Sequence, residues 1–427
     1  MANNSFSNTS LVTDIVTEKL SNKLMKGGIV NRDLEGDFST ARYGSTINMR
    51  RPVYLASSTG AVIGGSDTSD IEQGTVPVVV DNRHKVVFEL DGDERALDIT
   101  TARVQQVMDA AAEELGNIVE QAVADEFSGA VWNYIDATSG IDLDDIGTAE
   151  ANMIAQGVNQ LADLYGCVTP NSGRILSKEI STAFSFPSVA RVTDAMDRAK
   201  MGTYNNVMLM RDQVLPTHTS GVATGTILVN GNDQDVEYDA VSQTYYQDLV
   251  LDGATASTTG LFLEGDVINI AGFEGVNRKT RKSTGELQDY VILQDADSDG
   301  SGNVTVRISP PIIGEAGAQA GFNTIDTDVT DTSAMDGAAV TVKTGQNGAV
   351  RKENLIFTPE SFQLAMVDLP DVSSEGARSS VRNYEGVSMR MVQQYDVVND
   401  KTITRFDVLF AVKCVQPYYA YRIGTSK

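Results

Sequence analysis

The chain has 427 residues, enough for roughly two to three domains by length alone, and carries 33 Lys and Arg against 58 Asp and Glu for a formal net charge of −25. That balance excludes a groove that grips nucleic acid through its phosphates and a face that docks on an anionic membrane, because either surface needs clustered basic side chains. With two histidines (His84, His218) and two cysteines (Cys167, Cys414), the chain also lacks the material for multi-histidine metal centres or a disulfide framework and has little for a Ser-His-Asp or Cys-His machine.

The opening residues lack a basic n-region and an apolar h-region, and no run of about eighteen apolar residues occurs, so neither a secretory signal nor a membrane span is expected. Residues 1–35 form a polar arm with one small amphipathic helix, marked by Leu11, Val12, Ile15, Val16 and Leu20. Residues 36–90 switch to β-branched texture broken by Gly and Ser, which predicts an extended two-stranded β projection. Its flexible positions are Gly60, Gly64 and Gly65, its base carries Arg50 and Arg51, and its return strand carries Val76, Val78 and Val80. An ordinary surface hairpin fits the same residues.

Residues 91–221 open with the clearest periodicity in the chain. From a cap at Asp98 or Thr100, apolar side chains recur from Val104 through Met108, Ala111, Leu115, Val119, Val123, Phe127 and Val131 to Tyr134. A helix of roughly 35 residues would reach about 50 Å, the length of a spine, unless Gly116 breaks it in two. A second helix is predicted from a cap at Thr148 through Met153, Leu161 and Tyr165 to Gly166. Strand and loop follow over 167–187, and a third helix over Ser188–Lys200.

Between 222 and 347 the helical period disappears, and short β-rich runs alternate with turn dipeptides such as Asn230-Gly231 and Glu264-Gly265, the pattern of a small all-β barrel or sandwich. This stretch holds 19 acidic residues against 6 basic, about half of the whole chain's excess, and reads as an inserted domain. Residues 348–427 return to the first fold. Thr358-Pro359-Glu360 predicts a short helix with Phe362, Ala365 and Met366 on its apolar face, followed by long alternating strands over Val387–Val398 and Thr402–Val415 and another over Tyr418–Ile423.

Few residues invite chemistry. Asp295, Asp297 and Asp299 imitate the first half of an EF-hand calcium loop, but the twelfth position is Val306 where a bidentate Glu is required, so an acidic hairpin turn is the simpler expectation. Asp142, Asp144 and Asp145 read as a solvated acidic loop, and His84 as a strand-surface residue. Cys167, placed just past a helix C-terminus, would have its thiol pKa raised by the dipole. Phosphate-binding, GxSxG and HExxH motifs are absent, which predicts no cofactor and no enzyme. The basic run Arg278, Lys279, Arg281 and Lys282 inside an acidic segment is either a solvated loop tip or an electrostatic contact with an acidic patch on a neighbouring copy.

The order of parts resembles the Hong Kong 97-type fold of tailed-phage major capsid proteins, an α+β fold with N-arm, extended β loop, spine helix and α/β core. The insertion resembles the I-domain of P-22-like coat proteins. The residues that carry the likeness are FLEGDVINIAGFEGVNRKTRKSTGELQDYVI (Phe262 to Ile292), NLIFTPESFQLAMVDLP (Asn354 to Pro370) and YDVVNDKTITRFDVLFAVKCVQPYYAYRI (Tyr395 to Ile423). The resemblance implies a structural subunit that assembles with itself as pentamers and hexamers into an icosahedral shell around double-stranded DNA, without sequence-specific binding. It also implies a scaffolding protein and a portal protein as partners, and assembly in the bacterial host cytoplasm into a virion capsid. Arg278, Lys279, Arg281, Lys282, Arg50 and Arg51 are the candidate subunit contacts. A β-rich tail or surface adhesin, or a carboxylate-dependent hydrolase, are the rival readings.

Overall fold

The computed structural model describes residues 9–33, 44–52, 73–91, 101–183, 202–314, 322–326, 331–384 and 386–426. The hinge glycines Gly60, Gly64 and Gly65 and the third helix expected at 188–200 lie outside these residues. The chain divides into two compact units, one of Met1–Asn48, Pro77–Ala124 and Phe362–Lys413, the other of Met49–Val76, Asp125–Ser361 and Cys414–Lys427.

In the first unit, helix α1 (Thr9–Lys23) packs on the strands Arg378–Tyr384 and Val387–Asp396. It buries Val12, Val16 and Leu20 at the i, i+4 spacing expected of an amphipathic helix, and Thr13 and Thr17 beside them. Thr17 Oγ1 satisfies itself by donating to the Thr13 carbonyl at 2.7 Å. The short helix α2 (Lys26–Ile29) follows, and its first amides converge on one carboxylate of the next helix. Glu120 accepts from the backbone N–H groups of Met25, Lys26 and Gly27 at 2.7, 3.1 and 2.9 Å, and its Oε2 lies 3.1 Å from the fully buried Lys26 Nζ.

That next helix, α3 (Thr101–Ala130), is the expected spine. It runs unbroken through Gly116, and at 1.5 Å per residue its 30 residues span about 45 Å. One glycine costs a helix only about 1 kcal/mol relative to alanine, less than the burial of Leu115 and Val119 beside it returns. The helix stops earlier than the periodicity suggests, because Tyr134 is taken by a strand, Tyr134–Asp136. In the sheet of the first unit, Lys401–Cys414 is the central strand, pairing antiparallel with Val387–Asp396 and with Asn82–Asp91. Thr404, Phe406, Val408 and Phe410 alternate along its buried face as predicted. Arg390 and Asp407, directly opposed across two strands and both buried, form an ion pair at 2.6 Å.

The second unit contains a mixed seven-stranded sheet in the order Tyr134–Asp136, Ala420–Thr425, Val350–Phe357, Leu164–Val168, Val207–Arg211, Thr203–Tyr204, with Thr217–Thr219 also paired to Val350–Phe357. Helices α4 (Leu143–Ala155) and α5 (Pro170–Ala183) accompany it, and Ile146, Ala149, Met153 and Leu176 join Leu164, Val207, Ile356 and Ile423 in one core.

Several sequence expectations are corrected here. The second helix is capped by Asp142, not Thr148, and ends eleven residues before Gly166. Asp142 and Asp145 form a reciprocal capping box, with Asp145 N donating to Asp142 at 2.8 Å and Asp142 N to Asp145 at 2.9 Å, so this acidic group is a helix start instead of a loop. Cys167 sits in a buried strand, three residues before a helix start at Pro170, and not just past a helix C-terminus. Residues 170–183 are helix, with Pro170 in the first turn and Thr169 Oγ1 accepting from Ser172 N. The predicted helix at Thr358 is one 3₁₀ turn, Pro359–Ser361, that leads into a fully buried strand, Phe362–Met366.

Residues 225–342 make a second sheet in the same unit, ordered Val340–Val342, Val267–Val276, Ser283–Ile292, Val304–Ser309, Gln247–Ala254, Gly225–Val229. Its two edges meet. Leu228 bridges Ala339, and Val229 N donates to Ala338 O at 2.9 Å, so the six strands close into a barrel with no free edge along that seam. Val229, Leu249, Leu251, Ile268, Ile270, Tyr290, Ile292, Val306 and Ile308 fill it, and the alternate exposure along Gln247–Ala254 is the period of two that the sequence displays.

Candidate functional site

The basic run predicted as a contact lies at the turn between Val267–Val276 and Ser283–Ile292. Asn277 builds the turn. Its Oδ1 accepts from Lys279 N and Thr280 N at 2.9 Å each, its backbone N–H donates to Lys282 O, and Arg281 adopts a left-handed φ of 56°. Asn277 Nδ2 also donates to Ala155 O at 2.6 Å, tying the turn to the end of α4.

The four basic side chains then part company. Lys279 and Lys282 are exposed and Arg281 is half-buried. Arg278 turns inward, donating from Nη2 to the Tyr245 hydroxyl at 2.7 Å with its guanidinium carbon 4.4 Å from the Tyr418 ring centre. The two arginines expected at the base of the projection divide the same way. Arg50 is exposed, whereas the Arg51 guanidinium lies 4.2 Å over the opposite aromatic partner, Tyr245. Tyr238 completes the cluster, stacked on Phe322 at 3.9 Å, with its hydroxyl accepting from Gly74 N at 3.1 Å. Gly74 is required there, since a Cβ would stand 2.2 Å from Ser242 O. Burial pushes the Arg51 pKa down, and the Arg278 charge adds to that push against the neighbouring phenols.

A second cluster, at the root of the barrel, was not foreseen from the sequence. Asp266 is fully buried and accepts from four groups: His218 Nε2 and Thr344 Oγ1 at 2.8 Å, and Gly221 N and Leu263 N at 2.9 Å. One residue earlier, the Gly265 carbonyl accepts from Arg422 Nη2 at 2.9 Å, and Arg422 Nη1 pairs with Glu353 Oε1 at 2.8 Å. Arg422 and Glu353 are both wholly buried. Only the turn signal at Glu264-Gly265 was visible in the sequence; the partners arrive from strands some 50 to 160 residues away.

The three aspartates of the calcium-like run serve separate turns. Asp295 Oδ1 accepts from Glu264 N, Asp297 Oδ1 from Gly260 N, and Asp299 from the amides of Ser301 and Asn303. Those hydrogen bonds hold the Asp299 pKa below the ordinary carboxylate range. Among the described residues no group of three or more His, Cys, Asp or Glu side chains is placed to hold a metal ion. His84 lies on the strand Asn82–Asp91, half-buried and stacked on Phe410 at 5.8 Å. Among the described residues no helix is long and apolar enough to cross a membrane.

Comparison with known proteins adds the relatives. A protein named major capsid protein, from Acyrthosiphon pisum secondary endosymbiont phage 1, is 25% identical over 441 positions that cover 98% of either chain. The solved structure of Mycobacterium phage Che8 aligns with 94% of this chain and 90% of its own at a TM-score of 0.47 and 9% identity. The capsid of Ralstonia phage GP4 aligns with 94% and 88% at 0.46 and 8%. The family model described as P22 coat protein - gene protein 5 matches residues 1–422. The match extends over the arm, the spine helix, the barrel and the returning strands alike, and the chain belongs to the P22 coat protein family.

Proposed function

We propose that this chain is the major capsid protein of a tailed double-stranded-DNA phage, a structural subunit of the Hong Kong 97-type fold that closes into an icosahedral shell by contact with copies of itself. The observation that carries this reading is the family match over residues 1–422. The relative named major capsid protein, collinear over 98% of both chains, supports it, as does the order of parts: N-terminal helix, paired strands Thr46–Arg50 and Thr75–Val79, 30-residue helix, mixed sheet and barrel.

In this reading residues 1–35 are the N-arm, 36–90 the extended loop with Gly60, Gly64 and Gly65 as its hinges, 222–347 the inserted I-domain, and 91–221 with 348–427 the capsid core. The exposed Arg50, Lys279 and Lys282 and the half-buried Arg281 are the electrostatic contacts to acidic faces of neighbouring subunits. The hairpin at Asn399-Asp400, where Val397 and Val398 are 80% and 91% exposed, is an apolar contact. A scaffolding protein and a portal protein are its assembly partners in the host cytoplasm, and the −25 charge suits a wall that encloses DNA without clasping it. The subunit performs no catalytic step.

Co-expression with the neighbouring phage genes and electron microscopy of the particles tests the reading. Closed, uniform shells are expected, and a chain that stays monomeric under every condition overturns it. Charge reversal at Lys279 and Lys282 should leave a folded subunit that assembles poorly; normal shells would remove those two residues from the contact.

A further inference from the structure

We propose that Arg51 and Arg278, held over the faces of Tyr245 and Tyr418, form a binding site for one carboxylate, supplied by an Asp or Glu side chain of a second copy of this chain. The assignment of the occupant rests on the shell reading above; the site itself rests on geometry. Two guanidinium groups converge on one phenol, Arg51 4.2 Å over the Tyr245 ring and Arg278 on its hydroxyl at 2.7 Å. Among the described residues the buried Arg51 Nε finds no hydrogen-bond partner. A buried guanidinium N–H with no acceptor costs about 1–3 kcal/mol, a cost that a single incoming oxygen removes.

The surroundings select the ligand. Arg51, Pro52, Tyr238, Tyr245, Arg278, Phe322, Val415 and Tyr418 line a narrow cleft with room for about 10 Å³, the space of one water-sized group. That admits the oxygen of a small planar head and not a nucleotide or a sugar. Among the described residues the charged or titratable neighbours of Arg51 include three tyrosines and the other guanidinium, so two like charges stand against aromatic walls and an anion relieves their mutual repulsion. One carboxylate oxygen, charged and able only to accept, matches the single unmet Nε–H in that space. The chain itself supplies that chemistry in excess, with 58 acidic residues against 33 basic, so every neighbouring copy presents candidates.

The test uses shells assembled from equal parts of isotopically light and heavy Arg51→Lys subunits, treated with a carbodiimide that joins an amine to a carboxylate in direct contact. The expected product is a light–heavy isopeptide between the lysine introduced at 51 and an Asp or Glu of another copy; light–light and heavy–heavy products alone, or none, overturn the site. Arg278→Lys provides the same readout where the first variant fails to fold. Arg51→Met subunits that remain folded should assemble about 10- to 100-fold less than the wild type, the loss of one charge-assisted hydrogen bond, and unimpaired assembly overturns the proposal. A gain in melting temperature for isolated subunits in acetate, but not in chloride at equal ionic strength, together with unlinked shells, would make the site one for free anions and overturn the second-copy occupant. Wild-type subunits that form no shells count against the shell reading, whereas wild-type shells that form normally beside Arg51→Lys shells without the cross-link count against this site alone.

Discussion

Replacing Glu353 by Met should be among the most damaging single changes in the second unit, and replacing Arg422 by Met as well should repair much of the damage. Glu353 lies on Val350–Phe357 and Arg422 on the adjacent strand Ala420–Thr425, both wholly buried, with Nη1 and Oε1 at 2.8 Å. Arg422 Nη2 is spent on the Gly265 carbonyl at the root of the barrel, so the guanidinium cannot swing out to water without giving up that bond. Removing Glu353 strands a buried positive charge, for which about 3–5 kcal/mol is the usual cost. For a unit of more than about 250 residues, each kcal/mol moves the melting temperature by roughly 2 °C, so the single variant should melt about 6–10 °C below wild type. The double variant removes both charges together with their desolvation cost and leaves Gly265 O as the one orphan, so it should recover at least about half of the loss. Calorimetry or thermal circular dichroism on the folded subunit reads both. A single variant that melts within about 2 °C of wild type, or a double variant no better than the single, would refute the argument that the pair is a buried charge held by its partner.

The arm depends on a comparable device, since Glu120 gathers three amides and the buried Lys26 ammonium; Glu120→Ala should speed hydrogen exchange at Met25, Lys26 and Gly27 by about 100-fold, with exchange in the barrel unchanged. Asp142→Ala removes the capping box of α4 and should cost about 1 kcal/mol by denaturant unfolding, with Asp142→Asn nearly neutral. The Asp299 carboxylate is held below its ordinary pKa by the amides and side chain of Asn303 and by Ser301 N. Its contribution is thus fully present above the ordinary carboxylate range and is lost as the pH falls through the lower, folded value. Amide exchange at 301–303 should accelerate over that acid interval in the wild type and stay flat in Asp299→Asn; an equally steep acid response in the variant would assign the effect to other groups.

The local rules of the chain were legible wherever one periodicity ran long enough to be unambiguous. The recurrence of Met108, Leu115, Val119, Val123 and Phe127 fixes a long helix whatever it packs on, and the alternation of Thr404, Phe406, Val408 and Phe410 fixes a long strand. Turn dipeptides divided the barrel strands for the same reason, as only a few residues accept the backbone angles a tight turn demands. Short apolar runs carry no such redundancy. Phe362–Met366 has five buried positions in succession, a pattern that a fully covered strand and a buried helical turn share, and its neighbours in the sheet decided between them. The helix at Pro170–Ala183 did carry a start signal, Thr169 before Pro170, but its Gly, Asn and Ser content weakened it.

What the sequence determined by itself was the alphabet of elements, their order, and a surplus of acid half of which falls in 222–347. Those follow from nearest-neighbour geometry and composition, which require no knowledge of the fold. The tertiary structure decided which charges meet. Glu353 finds Arg422, Asp266 finds His218, and Arg278 finds the ring that also holds Arg51, each across a span in which every residue between must first be placed. Consequently a basic run that reads as a single tip in the sequence is two things in space: exposed lysines facing outward, and one arginine turned in to share an aromatic cleft with another.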